Sequence, residues 1–291
     1  MQTMTLSNAV LTFESHRRAL IRQRRLRTTL GVALFAAALA GSWIVARISP
    51  AQFVEGLPLA FDYILRTMPV LRVETLEADL AEWYWGLSHW LVLLAETIAM
   101  GYVGTLLGTA IAVPLSFVAA RNLTPHPVAH FIVRRIMEIA RAVPELVYAL
   151  IFVFAFGVGP LAGVLAITVH SLGVLGKLFS EVCENVAPRT LEGPRAAGAN
   201  WVQTMRFAVL PQVLPNYASY TLLRFEVNVR SASILGLVGA GGIGVELYLV
   251  IRQFIYTDIS ALVLMIIVTV SITDLACERL RHALIDPEER K

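Results

Sequence analysis

The chain is poor in charge and in cysteine, and both deficits limit what it can be. Asp, Glu, Lys and Arg make up 15% of its 291 residues, whereas hydrophobic residues make up 57% and the mean hydropathy is +0.67. Soluble domains carry about 25% charged residues, so this composition indicates a membrane protein without a separate soluble domain. The two cysteines, Cys183 and Cys277, lack metal-ligand or C-x-x-C neighbours, which predicts no disulfide, zinc site or thiol chemistry.

Motifs for nucleotide hydrolysis and for catalysis inside the membrane are also missing. Gly176 and Lys177 resemble the end of a phosphate-binding loop, but Leu178 replaces the Ser or Thr that such a loop requires. No nucleophile and base, and no cluster of metal ligands, converge within the apolar segments. We therefore expect no enzyme activity and no cofactor bound by this chain.

Three glycines in the C-terminal third imitate a dinucleotide-binding fingerprint. Gly239, Gly241 and Gly244 satisfy G-x-G-x-x-G, with Asp258 at a suitable distance. Too few residues follow Asp258 to complete the sheet of a nucleotide-binding fold. With Gly242, these glycines instead predict a short helix and an outer re-entrant turn that pack closely near a gate.

Long apolar runs predict an all-helical membrane protein with six transmembrane helices. The run 146–176 is too long for one helix and is interrupted by glycine and proline at 157–160, so it predicts two helices joined by an outer turn. We expect the first of these two to continue back through Pro144 into 136–143. The other predicted spans are 28–46, 97–120 with an extension back to Trp90, 212–231 and 259–275.

Arginines flank these spans asymmetrically, which predicts that both termini are cytoplasmic. The expected division is a basic N-terminus 1–27, a first membrane helix 28–48, an extracytoplasmic loop 49–89, a membrane core 90–277 and a cytoplasmic tail 278–291. An Ala-Leu-Ala triplet at 38–40 resembles a signal-peptidase site, but the long apolar run favours a retained anchor. The basic residues expected inside are Arg17, Arg18, Arg22, Arg24, Arg25, Arg27, Arg121, Arg134, Arg135, Arg189, Arg195, Arg206, Arg279, Arg281, Arg290 and Lys291. An aromatic belt is expected at Trp83, Tyr84, Trp85 and Trp90.

A polar loop at 189–211 separates the fourth and fifth predicted spans. Gly193 and Pro194 suit a helix start, which predicts a short helix from Pro194 onward. The loop resembles the EAA loop of type I ATP-binding cassette (ABC) importer permeases, a pattern of Glu-Ala-Ala, three residues, Gly, nine residues and Ile-x-Leu-Pro. Gly193 and Pro194 replace the two alanines, and Ala208 replaces the isoleucine. The matching positions are Glu192, Gly198, Leu210 and Pro211.

This resemblance implies a coupling helix that docks in a groove of a separate cytoplasmic ATPase. The implied coupling residues are Glu192, Arg195, Ala196, Ala197, Gly198, Leu210 and Pro211. It also implies partners: ABC ATPase subunits that use ATP and Mg, a substrate-binding protein and a second permease copy, expected to form a homodimer in the bacterial inner membrane. The segment 225–244 resembles the phosphonate and phosphite branch of the same family, which implies a small phosphorus oxyanion as substrate. An ordinary amphipathic connector is the alternative for the loop.

Charged residues inside the spans have two interpretations. Arg224, Asn228 and Arg230 offer donors to a passing oxyanion, whereas a Glu226–Arg230 pair four residues apart would be a structural ion pair. His170 is a candidate for the path or for a helix–helix contact. Lys177 and Glu181 are spaced for a second such pair, and Glu96 in the second span is a further candidate.

An ion-coupled secondary transporter of a small anion is the alternative function. Such transporters are often built from two repeats, each with a broken helix. The sequence shows no second copy of the fifth-span pattern. Nucleic-acid binding is not expected, because the basic residues cluster beside apolar segments.

Overall fold

A computed structural model describes residues 2–47 and 49–285, and every regular element within them is helical. The all-helical membrane fold predicted from the sequence is thereby confirmed. The chain divides into two units, Met1–Ile64 and Leu65–Lys291. Arg290 and Lys291, expected on the cytoplasmic side, lie outside the described residues.

The first unit is dominated by one long helix. Helix α1 spans Gln2–Val45 and includes both the arginine-rich segment and the apolar run, so the helix starts well before the predicted span. Its segment His16–Val45 is long and apolar enough to cross a membrane. Helix α2, Pro50–Thr67, opens the predicted extracytoplasmic segment, which also contains α3, Leu76–Trp83. This segment is therefore largely helical.

The second unit contains the remaining predicted spans. Its elements are α4 (Leu87–Ala119), α5 (Pro127–Ala142), α6 (Glu145–Phe156), α7 (Pro160–Glu184), α8 (Pro188–Ala196), α9 (Trp201–Thr204), α10 (Leu210–Leu235), α11 (Ile243–Gln253) and α12 (Tyr256–Ile285). Among the described residues of the whole chain, four helices suffice to span a membrane, or up to six spans exist if each of two bent pairs counts as one.

The predicted third span is wrong in one respect, because it is not a continuous helix. Helices α5 and α6 meet at 89° around Val143 and Pro144. Proline disfavours helical geometry in the residue before it, and Val143 is extended with φ −82° and ψ 126°. The predicted break at 157–160 is present, since Gly157 and Gly159 adopt positive φ and α7 begins at Pro160.

Helices α4 and α7 pack closely through two small residues. A Cβ atom on Gly104 would lie 2.6 Å from Ile167 Cγ2, and one on Gly108 would lie 2.8 Å from Ser171 Cβ. Both distances are too short for any side chain. The glycine pair of α4 thus has α7 as its partner, which the sequence pattern alone does not reveal.

The expected aromatic belt is wrong for Trp90, which is fully buried and packs with Ile243 and Leu262. Trp83 and Trp85 instead tie the segment before α4 to α12. The indole of Trp83 donates to Thr257 O at 3.2 Å, and that of Trp85 donates to Asp258 Oδ2 at 3.1 Å.

The glycine-rich segment after α10 forms the short helix and tight turn that its pattern predicts. A 3₁₀ turn at Gly236–Val238 follows α10, and α11 is bent by 46° from the preceding segment. Gly239, Gly241 and Gly242 have φ between 72° and 87°, a region that favours glycine. A Cβ atom on Gly236 would lie 2.5 Å from Gly244 Cα, so the turn closes only with small residues.

Candidate functional site

A short helix is present in the predicted coupling loop, but its predicted start at Pro194 is wrong. Helix α8 begins at Pro188, where a proline costs no hydrogen bond, and it ends at Ala196 with Pro194 in its final turn. Pro188 and Pro194 could each start a helix, and in the structure α8 starts at Pro188. Glu192 and Arg195 consequently lie within the helix.

Gly198 ends α8 in a Schellman motif. Its φ is +83°, its N–H donates to Arg195 O at 3.0 Å, and the N–H of Ala199 donates to Pro194 O at 2.9 Å. A residue with a side chain is strained at this φ, although a Cβ atom there would meet nothing within 4 Å. Backbone geometry thus strongly favours the glycine that the family pattern contains.

Helix α9 follows at once and is held against the rest of the second unit. Asn200 and Gln203 form a capping box at its start. The Trp201 indole donates to Leu123 O at 2.8 Å, in the turn between α4 and α5. Asn122 of the same turn donates to Cys183 O at 2.9 Å. The segment from α8 to α9 is therefore anchored through Trp201 to the turn after α4, and Asn122 anchors that turn to the end of α7.

The outward surface of α8 is a ridge of exposed residues on a buried base. Leu191 is 5% exposed and joins an apolar cluster with Val209 and Tyr217. The coupling ridge comprises Glu192, Gly193, Arg195, Ala196, Ala197 and Gly198, all exposed. Among the described residues, no side-chain ion pair or hydrogen bond involves Glu192 or Arg195. Such a ridge is free to contact another protein.

A π-helical turn at Met205–Val209 joins α9 to α10. The N–H of Leu210 bonds to Met205 O, five residues back rather than four. Pro211 follows, and its missing N–H would interrupt an ordinary α-helical ladder here. Leu210 is partly buried and Pro211 is exposed, so the Leu-Pro pair marks the entry to α10.

A buried polar network lies between α6, α7 and α10. The Arg224 guanidinium pairs with the Glu145 carboxylate, and its Nε donates to Ser171 Oγ at 3.1 Å. The side chains of Arg224 and Glu145 are 11% and 12% exposed. Buried charges of this kind require a partner, and Glu145 is the partner that sequence reasoning missed.

Asn228, one turn further along α10, extends this network to α4. Its Nδ2 donates to Thr105 Oγ1 at 2.7 Å and to Ser171 Oγ at 2.8 Å, while its Oδ1 is buried without a partner. His170 Nδ1 lies 3.0 Å from Val143 O at the α5–α6 bend. The His170 contact is the helix–helix contact that the sequence offers as one alternative.

Arg230 occupies a more open position on the same helix. Its Nη2 lies 3.8 Å from Glu226 Oε1, as the four-residue spacing predicts, and 3.1 Å from Asp274 Oδ2 of α12. The Arg230 side chain is 51% exposed. Asp274, the nearer carboxylate, is not evident as a partner from the sequence, because only the fold brings α12 beside α10.

The remaining charged candidates, Glu96, Lys177 and Glu181, also have partners within the second unit. Glu96 Oε1 accepts from the N–H of Gly242 at 2.9 Å, and Thr97 Oγ1 accepts from the N–H of Ile243 at 2.9 Å. A carboxylate at the positive end of a helix is stabilising, so Glu96 holds the start of α11. Lys177 Nζ lies 2.8 Å from Glu181 Oε1, the predicted pair.

The described residues contain no candidate metal centre, since no group of three His, Cys, Asp or Glu residues among them could hold a metal ion. Both cysteines are buried and free.

Comparisons with known proteins identify the family. The profile of the family described as "Binding-protein-dependent transport system inner membrane component" matches residues 112–286. The chain is 37% identical over 241 residues to the phosphite transport system permease protein PtxC of Stutzerimonas stutzeri, covering 83% of each chain. It is 51% identical over 121 residues to the cryptic phosphonate transport system permease protein PhnE2 of Escherichia coli (strain K12), described as putative, covering 42% of this chain and 99% of that one.

A solved structure has the same fold. The inward-facing MetNI methionine ABC transporter superposes with a TM-score of 0.58 at 22% identity, covering 67% of this chain and 95% of that chain. Permeases of this family have no ATPase domain of their own. The chain belongs to the binding-protein-dependent transport system inner membrane components, the permease subunits of ABC importers, and is a multi-pass inner-membrane protein.

Proposed function

We propose that this permease moves phosphite, phosphonate or a related small phosphorus oxyanion inward across the bacterial membrane. The observation that carries the proposal is the 37% identity to a phosphite permease over 83% of both chains. An ion-coupled secondary transporter is disfavoured, because the family works with a separate ATPase and a binding protein.

The coupling ridge of α8 is the proposed ATPase contact. Its polar and small residues are exposed, whereas Leu191 beneath them is anchored in the apolar cluster. A push on the ridge therefore reaches α4 and α7 through Trp201 and Asn122. In this proposal the ridge and both termini face the cytoplasm, and two copies of the chain enclose the path.

Arg230 is the proposed contact for the oxyanion along this path. Its guanidinium is half exposed and offers forked donors that suit phosphorus oxyanions. Arg224 is a poorer candidate, since it is buried and its Nη2 and Nε already donate to Glu145 and Ser171. Gly239, Gly241, Gly242 and Gly244 shape the outer turn, where we place the gate.

The coupling role is tested by replacing Gly198 in two ways. Gly198→Val opposes the left-handed geometry, whereas Gly198→Asn tolerates it. We expect Gly198→Val to abolish ATP-driven uptake in vesicles containing permease, ATPase and binding protein, with Gly198→Asn retaining most of it. Both variants should insert and copurify as the wild type does. Normal coupled uptake by Gly198→Val would count against this role for α8.

The substrate is tested in the same vesicles with the cognate binding protein. Uptake of radiolabelled phosphite or a phosphonate should require both ATP and the ATPase. Uptake without the ATPase would refute the importer assignment, whereas ATP-dependent uptake of a different solute would refute only the substrate.

A further inference from the structure

A cavity of about 520 Å³ lies where α4 ends and α5 begins, outside both the coupling ridge and the polar network. Its wall includes Arg121, Arg134, Arg135 and Glu138. The end of α7 is adjacent, since the N–H of Arg121 donates to Glu184 Oε1 at 3.2 Å. Because three membrane helices start or stop here, the cavity lies at the level where lipid headgroups meet the bundle.

The charges of the cavity do not cancel. Arg134 Nη1 lies 3.2 Å from Glu184 Oε1, and Arg135 Nη1 lies 2.5 Å from Glu138 Oε2. No carboxylate pairs with the Arg121 side chain among the residues that the structure describes. Three arginines thus meet two glutamates, which leaves one uncompensated positive charge.

His130 also lines the cavity. Its Nδ1 has no hydrogen-bond partner among the described residues, but protein atoms enclose it, so a molecule in the cavity does not reach it. The arginines therefore supply the polar contacts that the cavity offers.

An apolar surface leads away from the cavity along α5. Phe131, Ile132, Ile136 and Ile139 are 50–64% exposed and share one face of the helix. The Arg135 guanidinium lies 5.4 Å from the centre of the Phe131 ring, so the charged head and the apolar face are adjacent. This combination suits an amphipathic ligand better than a free ion.

We infer that the cavity binds the phosphate of an anionic membrane phospholipid. Arg121 and Arg135 donate to the phosphodiester oxygens, and an acyl chain lies along the apolar face of α5. Guanidinium groups bind phosphate through strong charge-assisted hydrogen bonds, and basic pockets between membrane helices are suited to lipid headgroups. The single negative charge of phosphatidylglycerol matches the single uncompensated positive charge.

The test measures lipid binding to the purified, delipidated chain in detergent by native mass spectrometry. Phosphatidylglycerol is titrated against the wild type, Arg121→Gln/Arg135→Gln and Arg279→Gln, in which an exposed arginine of α12 outside the cavity is changed. We expect the double variant to bind at least about tenfold more weakly, because charge-assisted bonds are lost. Arg279→Gln should bind as the wild type does, and phosphatidylcholine should bind more weakly than phosphatidylglycerol.

Two controls separate lipid binding from the binding of a free anion and from a general loss of folding. An excess of inorganic phosphate should leave the lipid bound, and displacement by phosphate at a concentration comparable to that of the lipid would overturn the proposal in favour of a free-oxyanion site. Arg121→Lys/Arg135→Lys keeps the charge and should restore part of the binding. Unchanged lipid binding in the glutamine variant, or equal loss in both double variants with a lowered melting temperature, would also overturn it.

Discussion

Arg224 and Arg230 lie on the same helix, yet their surroundings differ. Arg224 is 11% exposed and pairs with Glu145, which is itself 12% exposed. Arg230 is 51% exposed and lies between Glu226 and Asp274. Six residues rotate a helix position by about 120° from its starting direction, so the two guanidinium groups point to different sides of α10.

Arg224 is held in a buried ion pair, whereas the charge of Arg230 is accessible to a solute. A buried ion pair leaves a stranded charge when one partner is removed, whereas an exposed pair contributes little to stability. Arg224 therefore belongs to the structural frame of the second unit. We expect Arg230 to exchange partners without disturbing the fold, as the proposed transient contact with a solute requires.

The largest effect is expected for Arg224→Met. This change leaves the Glu145 carboxylate buried without its counter-charge and should lower the free energy of unfolding by about 3–5 kcal/mol. Thermal or denaturant unfolding of the purified protein in detergent measures the loss. Arg230→Met is the matched control, with an expected loss below about 1 kcal/mol. Equal losses at the two positions would remove the distinction between them.

Replacing both members of the buried pair should restore most of the lost stability. Arg224→Met/Glu145→Leu removes the stranded charge and leaves apolar side chains in its place, so we expect it to exceed Arg224→Met alone by about 2 kcal/mol or more. A double-mutant cycle with Glu145→Leu gives the coupling energy. Additive losses would show that the two charges do not depend on each other.

An intermediate effect is expected for Asn228→Leu. The change removes hydrogen bonds to Thr105 and Ser171 at nearly constant volume and should cost about 1–2 kcal/mol of unfolding free energy. Val227→Leu, at the exposed neighbouring position, should change stability little. The same unfolding measurements check both variants. An unchanged free energy of unfolding for Asn228→Leu would show that Asn228 does not contribute to the stability of the buried network.

The smallest effect on stability, and a large one on transport, is expected for Arg230→Gln. Stability should change by less than about 1 kcal/mol, since the pair is exposed. Phosphite uptake in reconstituted vesicles should fall, because the forked cationic donor is lost. Arg230→Lys keeps the charge and should retain part of the uptake. Unchanged uptake by Arg230→Gln, with normal assembly, would leave Arg230 as an ion-pair residue only.

Local spacing predicts the exposed arginine better than the buried one. The Glu226–Arg230 and Lys177–Glu181 pairs follow from four-residue spacing on a helix, and both are present. Glu145 and Arg224 are separated by 79 residues in the chain, so no local pattern joins them. Asp274 approaches Arg230 only because α12 packs against α10.

The apolar runs and the prolines likewise define helices but leave their boundaries and orientation open. Glycine and proline at 157–160 correctly indicate a break, whereas the apolar residues around Pro144 wrongly predict a continuous third span. Pro188 and Pro194 both fit the start of a helix by sequence. The structure shows that α8 starts at Pro188, and the Schellman turn at Gly198 ends it soon after Pro194. Trp90 fits an interfacial residue by sequence, but α11 and α12 bury it.

The π-helical turn at Met205–Val209 sets the phase of α10 relative to α9. The π turn takes one residue more than an α-helical turn for about the same rotation, so every later position is set back by about 100° relative to an uninterrupted α-helix of the same sequence. If this segment became a regular α-helix with no residue removed, Arg224 and Asn228 would turn away from Glu145, Ser171 and Thr105. The alignment of the membrane network thus depends on the hydrogen-bond pattern of a single turn beside the coupling ridge.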